Sequence, residues 1–133
     1  MERQSKNEKL LQYFKDICRI PRQTGDEEAI SQYLLDFAKA RGLQAERDAH
    51  HNVLIRKPST IPGYKGPTVI VQGHMDIVYE KSADSTHKYE DGIHVVEEDG
   101  YLKSADGTSL GADNGLAVAY AMDLLDRNDL PLP

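Results

Sequence analysis

The sequence has one cysteine, Cys18, among its 133 residues, which excludes any intramolecular disulfide. Cys18 lies within Asp16–Ile20 in an amphipathic helical pattern, so it is read as a small buried apolar residue rather than a reactive thiol. No apolar stretch approaches the roughly 20 residues that a membrane-spanning helix needs. The first twenty residues carry Glu2, Arg3, Lys6, Glu8 and Lys9, leaving no room for the apolar core of a signal peptide. A run of Lys or Arg is also missing. With 16 basic residues against 22 acidic ones the formal net charge is -6, a poor match to nucleic acid or to an anionic membrane. No internal repeat or low-complexity tract is visible. These absences together favour a reducing, cytoplasmic setting with no nucleic-acid and no membrane partner.

What is present fits one compact domain: the length is too small for two, and 39% hydrophobic with 29% charged residues is a globular rather than a disordered composition. Leu10, Leu11, Phe14, Ile17 and Cys18 recur at helical spacing from about Lys6, and Pro21 ends that helix. Thr24-Gly25-Asp26-Glu27 has the form of a capping box for a second helix, with Ile30, Leu34, Phe37 and Ala38 on one face and Gly42 as a left-handed cap. Val53-Leu54-Ile55 reads as a strand. A Pro/Gly-rich loop, Pro58 to Pro67, leads to Thr68-Val69-Ile70-Val71, a β-branched run of the kind buried on both faces. His94–Glu98 and Tyr101–Lys103 flank Asp99-Gly100 and predict a hairpin. Leu116–Leu125 is apolar nearly all round and predicts a well-buried helix, followed by a loop over 126–133. Helices alternating with strands predict an α/β layer structure with a mixed, largely parallel sheet flanked by helices.

Two short segments carry chemistry. In Gly73-His74-Met75-Asp76, directly after the β-branched run, His74 and Asp76 are two apart and project to the same side of an extended chain. The carboxyl end of such a strand is where ligands bind in open α/β sheets. A neutral imidazole is a good zinc ligand, and a neighbouring carboxylate orients it and raises its basicity. A lone His-x-Asp also suits a structural histidine beside a loop carboxylate. The second segment is Gly107-Thr108-Ser109-Leu110-Gly111-Ala112-Asp113-Asn114-Gly115, before the apolar helix. There Asp113 or Asn114 has an ordinary role as a helix cap, stabilising by about 1 kcal/mol. The glycine pattern fits neither dinucleotide nor Walker-type phosphate loops.

Taken together, Pro67–Asp76 and Thr108–Gly115 resemble the paired zinc motifs of the peptidase family that contains aminoacylases, glutamate-type carboxypeptidases and dipeptidases. Within it the likeness is to the aminoacyl-histidine (Xaa-His) dipeptidases. It extends over nearly the whole chain, through Ile20-Pro21-Arg22, Phe37-Ala38 and Asp84-Ser85-Thr86-His87. Where most of the wider family has Asp-Met-Lys-Gly, this chain has Asp113-Asn114-Gly115, the departure that points to the dipeptidase branch. The resemblance implies that His74 is a terminal ligand of one zinc and that Asp113 bridges two. Asp76 would be the catalytic-site carboxylate that fixes the His74 imidazole. Two ions roughly 3.5–4 Å apart lower the pKa of a bridging water and polarise the scissile carbonyl. Cobalt or manganese suits the same donors.

By the same resemblance a Glu-Glu pair on the next strand, a further acid and a late His complete the site, and residues 1–133 contain none of them. The Glu97-Glu98 pair lies between the two motifs and does not match that position. The chain is thus expected to be part of a catalytic domain, truncated before the Glu-Glu motif and inactive alone, with metal held weakly or not at all, since tight zinc sites use three or four protein ligands. Its full-length parent would hydrolyse dipeptides of the Xaa-His type. The rival reading is a truncated non-catalytic copy serving as a structural or interaction domain, and a strand ending in Glu-Glu encoded downstream would decide against it. A calcium- or phosphate-binding loop is a third reading, with only Asp106 and Asp113 to support it. His50, His51, His87 and His94 are expected at the surface. An apolar strand lacking its sheet neighbours invites association, so a homo-oligomer is expected.

Overall fold

The computed structural model describes residues 2–129, with side chains from residue 7 onward; the loop expected over 126–133 therefore lies partly outside the described residues, at 130–133. In chain order the elements are α1 (Glu2–Cys18), α2 (Glu28–Ala40), β1 (Gln44–Arg47), β2 (Val53–Arg56), a short 3-10 turn (Tyr89–Asp91), β3 (Val95–Glu98), β4 (Tyr101–Ser104) and α3 (Ala112–Asp126).

Helix α1 turns Tyr13, Phe14, Ile17 and Cys18 inward, the period of one helical face. Its last turn tightens, Ile20 donating to the Ile17 carbonyl, and Pro21, which has no N–H, stops it. Helix α2 buries Ile30, Leu34, Phe37 and Ala38, the expected stripe. Gly42, at φ +67°, closes it: its N–H donates to the Lys39 carbonyl and that of Leu43 to Ala38, the paired bonds of a Schellman motif. Helix α3 packs on α1 through Val118, Ala119 and Met122, while Tyr120 is 56% exposed. It is therefore one-sided rather than buried all round.

The capping box does not form. Glu27 occupies the N-cap of α2 with no side-chain cap bond, and the Thr24 hydroxyl is engaged elsewhere. The α/β class holds, but the strands pair as two antiparallel hairpins, β1–β2 and β3–β4. Among the described residues parallel pairing is confined to the bridge between Gln23 and Ile77. The run 68–71 is in no strand, with Val69, Ile70 and Val71 exposed by 48%, 84% and 51%. A β-branched run is buried only where neighbouring strands and helices cover it, and none of the described elements lies over this one. The β3–β4 hairpin is as expected, with Asp99 (φ +53°) and Gly100 (φ +79°) both left-handed, as a type I′ turn requires.

The three helices meet at Asp126. Its carboxylate accepts from Tyr13 Oη (2.8 Å) and Arg41 Nε (2.6 Å) and pairs with Lys9. The Arg41 guanidinium also lies 3.6 Å over the Phe37 ring, which meets Tyr13 edge-on. Partial burial opposes the charge on Asp126, but the bonds from Lys9, Arg41 and Tyr13 outweigh it and hold the carboxyl well below its ordinary range. A group with a depressed folded-state pKa stabilises above its unfolded value, here near 3.8, and loses that contribution as pH falls through the folded value. Asp126→Asn is expected to lower stability by about 1–3 kcal/mol at neutral pH. In urea titrations the gap from the parent chain should narrow steadily as the pH is taken down toward about 2.

Candidate functional site

Beyond α1 the segment Pro21–Thr24 runs parallel to Met75–Ile77: Ile77 N–H donates to the Arg22 carbonyl (2.9 Å) and Thr24 N–H to the Ile77 carbonyl (3.2 Å). The chain after Ile77 then pairs with the second motif. Lys81 bridges Thr108 antiparallel, Ser109 N–H donates to the Glu80 carbonyl (2.9 Å), and Ser109 Oγ accepts from Glu80 N–H (2.9 Å). The two chemistry-bearing segments, far apart in sequence, are thus neighbours.

Arg22 joins them. It is fully buried, donating through Nη1 to the Met75 carbonyl (2.8 Å) and through Nη2 to the Gly111 carbonyl (3.0 Å). Burial lowers its pKa, while its Nε finds no partner. Gly111 has φ +77°, and a Cβ there would lie 2.8 Å from Arg22 Nη2 and 2.9 Å from Ile77 Cγ2, so no side chain fits. Gly73 allows a similarly close approach to α3, a Cβ on it reaching within 2.9 Å of Ala117 Cβ.

His74, Asp76 and Asp113 are brought together. His74 Nδ1 lies 3.0 Å from Asp76 Oδ1, and Nε2 lies 3.2 Å from Asp113 Oδ1. The second Asp76 oxygen, Oδ2, accepts from the Thr24 hydroxyl at 2.6 Å. Asp113 does not act as a side-chain helix cap. Regular helical dihedrals begin only after Asn114, Gly111 is the N-cap, the 113–114 peptide is cis, and the Asp113 carboxylate, 96% exposed, faces His74.

The geometry constrains the protons. If His74 is neutral and gives its Nδ1 proton to Asp76, the Nε2 lone pair points at a carboxylate, which repels it. The approach is favourable only with a proton on Nε2 or with a cation shared by the two atoms. Donors about 2.0–2.2 Å from a tetrahedral zinc ion stand about 3.3 Å apart, close to the observed separation. Asp76 lies on the other side of the ring. Accordingly, among the described residues no group of three or more His, Cys, Asp or Glu side chains is placed to hold a metal ion.

Two comparisons bear on this site, although no family model matches the chain. Over 120 residues it is 38% identical to the cytosol non-specific dipeptidase of Escherichia coli (strain K12), a match covering 90% of this chain and 25% of that protein. The crystal structure of aminoacylhistidine dipeptidase from Vibrio alginolyticus matches with a TM-score of 0.86 at 34% identity, over 92% of this chain and 25% of that one. The chain is thus similar, in sequence and in fold, to part of each of these dipeptidases. It spans about a quarter of their length.

In this chain the remaining histidines divide. His94 is exposed as expected, its Nδ1 2.9 Å from Asp106 Oδ2, and His50 is exposed in a turn whose amides are gathered by Asp48. His51, with φ +67°, is half-buried. His87 is not at the surface but 7% exposed. Its Nε2 must donate to the Gly92 carbonyl (2.6 Å), so Nδ1 accepts from the Tyr79 hydroxyl (2.8 Å). Thr24 and Arg22 were missed as site residues. Thr24 has a local signature that fits helix capping equally well, and a buried Arg shows no local pattern at all. Among the described residues no helix is long and apolar enough to cross a membrane.

Burial opposes the charge on His74, but its hydrogen bonds to Asp113 and Asp76 prevail and raise its pKa above 6.5. In metal-free protein the pairing therefore stabilises fully below the unfolded value and is lost as pH rises through the folded one. Asp113→Asn is expected to move the His74 titration midpoint, followed by the ring Cε1–H resonance, downward. Arg22→Met leaves two carbonyls without their donor. It is expected to cost about 1–3 kcal/mol in chemical denaturation.

Proposed function

We propose that His74 and Asp113 are metal ligands of a dipeptidase active centre, with Asp76 fixing the His74 imidazole, and that residues 1–133 are part of its catalytic domain. The reading is supported chiefly by one observation: an imidazole whose Nδ1 is held by a carboxylate turns its Nε2 to a second, exposed carboxylate at 3.2 Å. The donors fit a divalent ion, namely zinc, with cobalt or manganese suiting them as well. Such an ion, when bound, polarises a peptide carbonyl and acidifies water.

The chain's own residues do the rest. Asp76 keeps the proton of the neutral imidazole on Nδ1, so the Nε2 lone pair stays directed outward. Among the described residues neither oxygen of Asp113 takes a further protein donor, so Asp113 would be one of the residues that hold the ions, in the shared role the two-zinc resemblance implies. With two donors the 133-residue chain by itself holds metal weakly and is inactive; the remaining ligands and the general base belong to other parts of a longer protein. The relatives' names point to dipeptides as substrates, Xaa-His among them, and to the cytosol as the setting. The exposed run at 69–71 favours self-association. A non-catalytic copy is the reading to exclude.

In a longer protein containing this chain, dipeptide hydrolysis is expected to disappear on chelation and return with zinc. His74→Ala should lower kcat/KM at least 100-fold, the scale on which a lost ligand acts. Hydrolysis that survives chelation, with no zinc found on metal analysis, overturns the proposal.

A further inference from the structure

The segment expected to cap α2 instead reaches into the candidate site. Thr24 Oγ1 donates to Asp76 Oδ2 at 2.6 Å, while Asp76 Oδ1 faces His74 Nδ1 at 3.0 Å. Each oxygen of the carboxylate thus has its own partner, and the two partners lie on different elements. One contact alone would let the carboxylate turn about its terminal torsion, which is broad and soft. Two contacts fix its plane, and with it the plane of the imidazole.

The hydroxyl is delivered rigidly. Thr24 N–H donates to the Ile77 carbonyl and Ile77 N–H to the Arg22 carbonyl, locking residues 22–24 beside 75–77. Arg22 anchors the same segment through its buried guanidinium. A β-branched side chain has few χ1 choices, so a docked backbone aims the Thr24 oxygen. Its bond is also the largest influence holding the Asp76 carboxyl below its ordinary range.

We infer that Thr24 is a positioning residue: its hydroxyl orients Asp76, which in turn keeps the Nδ1 proton in place and the Nε2 lone pair of His74 directed toward Asp113. The role rests on the metal reading given above, and it predicts that a hydroxyl two bonds removed from any ligand controls how well the site takes a divalent ion. The conventional role, capping α2, is contradicted by the absence of a side-chain cap bond there.

The test uses the 133-residue chain with cobalt(II) titrated by calorimetry, alongside the His74 Nδ1–H proton resonance at low temperature and the urea midpoint. Thr24→Val keeps the shape and removes the hydroxyl; Thr24→Ser keeps the hydroxyl. The valine variant is expected to bind cobalt about tenfold more weakly and to lose or broaden the Nδ1–H resonance. The serine variant should stay within about twofold of the parent chain on the same scale. If Thr24→Val does not fold, Thr24→Ala takes its place. A valine or alanine variant with parental cobalt affinity and an intact resonance overturns the inference, as does one whose urea midpoint alone changes. Should the parent chain bind no cobalt, as a two-donor site permits, the titration is repeated on a longer protein containing this chain, where absence of binding overturns the metal reading; the resonance decides Thr24 separately, its persistence in the valine variant overturning the positioning role.

Discussion

The buried guanidinium of Arg22 is the interaction on which the site depends. Its two carbonyl acceptors, on Met75 and Gly111, are 53 and 89 positions away in sequence and adjoin the residues that carry the chemistry. A charged group removed from water costs several kcal/mol unless it is well bonded. Among the described residues no ion pair reaches it, so the two backbone carbonyls carry much of the compensation, with Cys18 beside it and Asp76 acting at longer range. They keep it only while both loops remain in place. Arg22 therefore couples the position of Asp76, next to Met75, with that of Asp113, two residues beyond Gly111. Gly111 itself has space for no side chain against this guanidinium.

That coupling explains how a half-exposed histidine comes to hold a defined orientation. His74 is 50% exposed, and at that exposure a single hydrogen bond would compete with water. The imidazole instead sits between Asp76 and Asp113, and Asp76 is itself held by Thr24. Every link from Thr24 to Asp113 is anchored on backbone fixed by the Arg22 cross-link. Two carboxylates on one imidazole concentrate negative charge around its ring, which favours a cation there, whether a proton or a metal ion.

What was legible in the sequence follows the range of the interactions. The period of two that pairs His74 with Asp76, the left-handed Gly42 and the Asp99-Gly100 turn are properties of a few adjacent residues, and the structure keeps all three. The helical stripe of α2 is likewise local. Thr24-Gly25-Asp26-Glu27 is a local pattern with two outcomes: the hydroxyl can accept from a helix amide or be drawn away to donate to an acceptor elsewhere, and the Asp76 carboxylate, at 2.6 Å, is a strong acceptor. His87 looked like a surface residue because Thr86 and Lys88 flank it, yet Tyr79 and the Gly92 carbonyl enclose it. Arg22 was invisible for the same reason: burial of a charge is decided by what folds over it.

The exposed run at 69–71 and the candidate site share one stretch of chain. Only Gln72 separates Val69, Ile70 and Val71 from Gly73 and His74, so the uncovered apolar run and the His74 imidazole belong to one segment. A strand pairing along 69–71 would lie about 4.8 Å from this segment, and so beside the chain that leads to His74. On the metal reading proposed above, covering the run and adding donors about His74 would be one event rather than two.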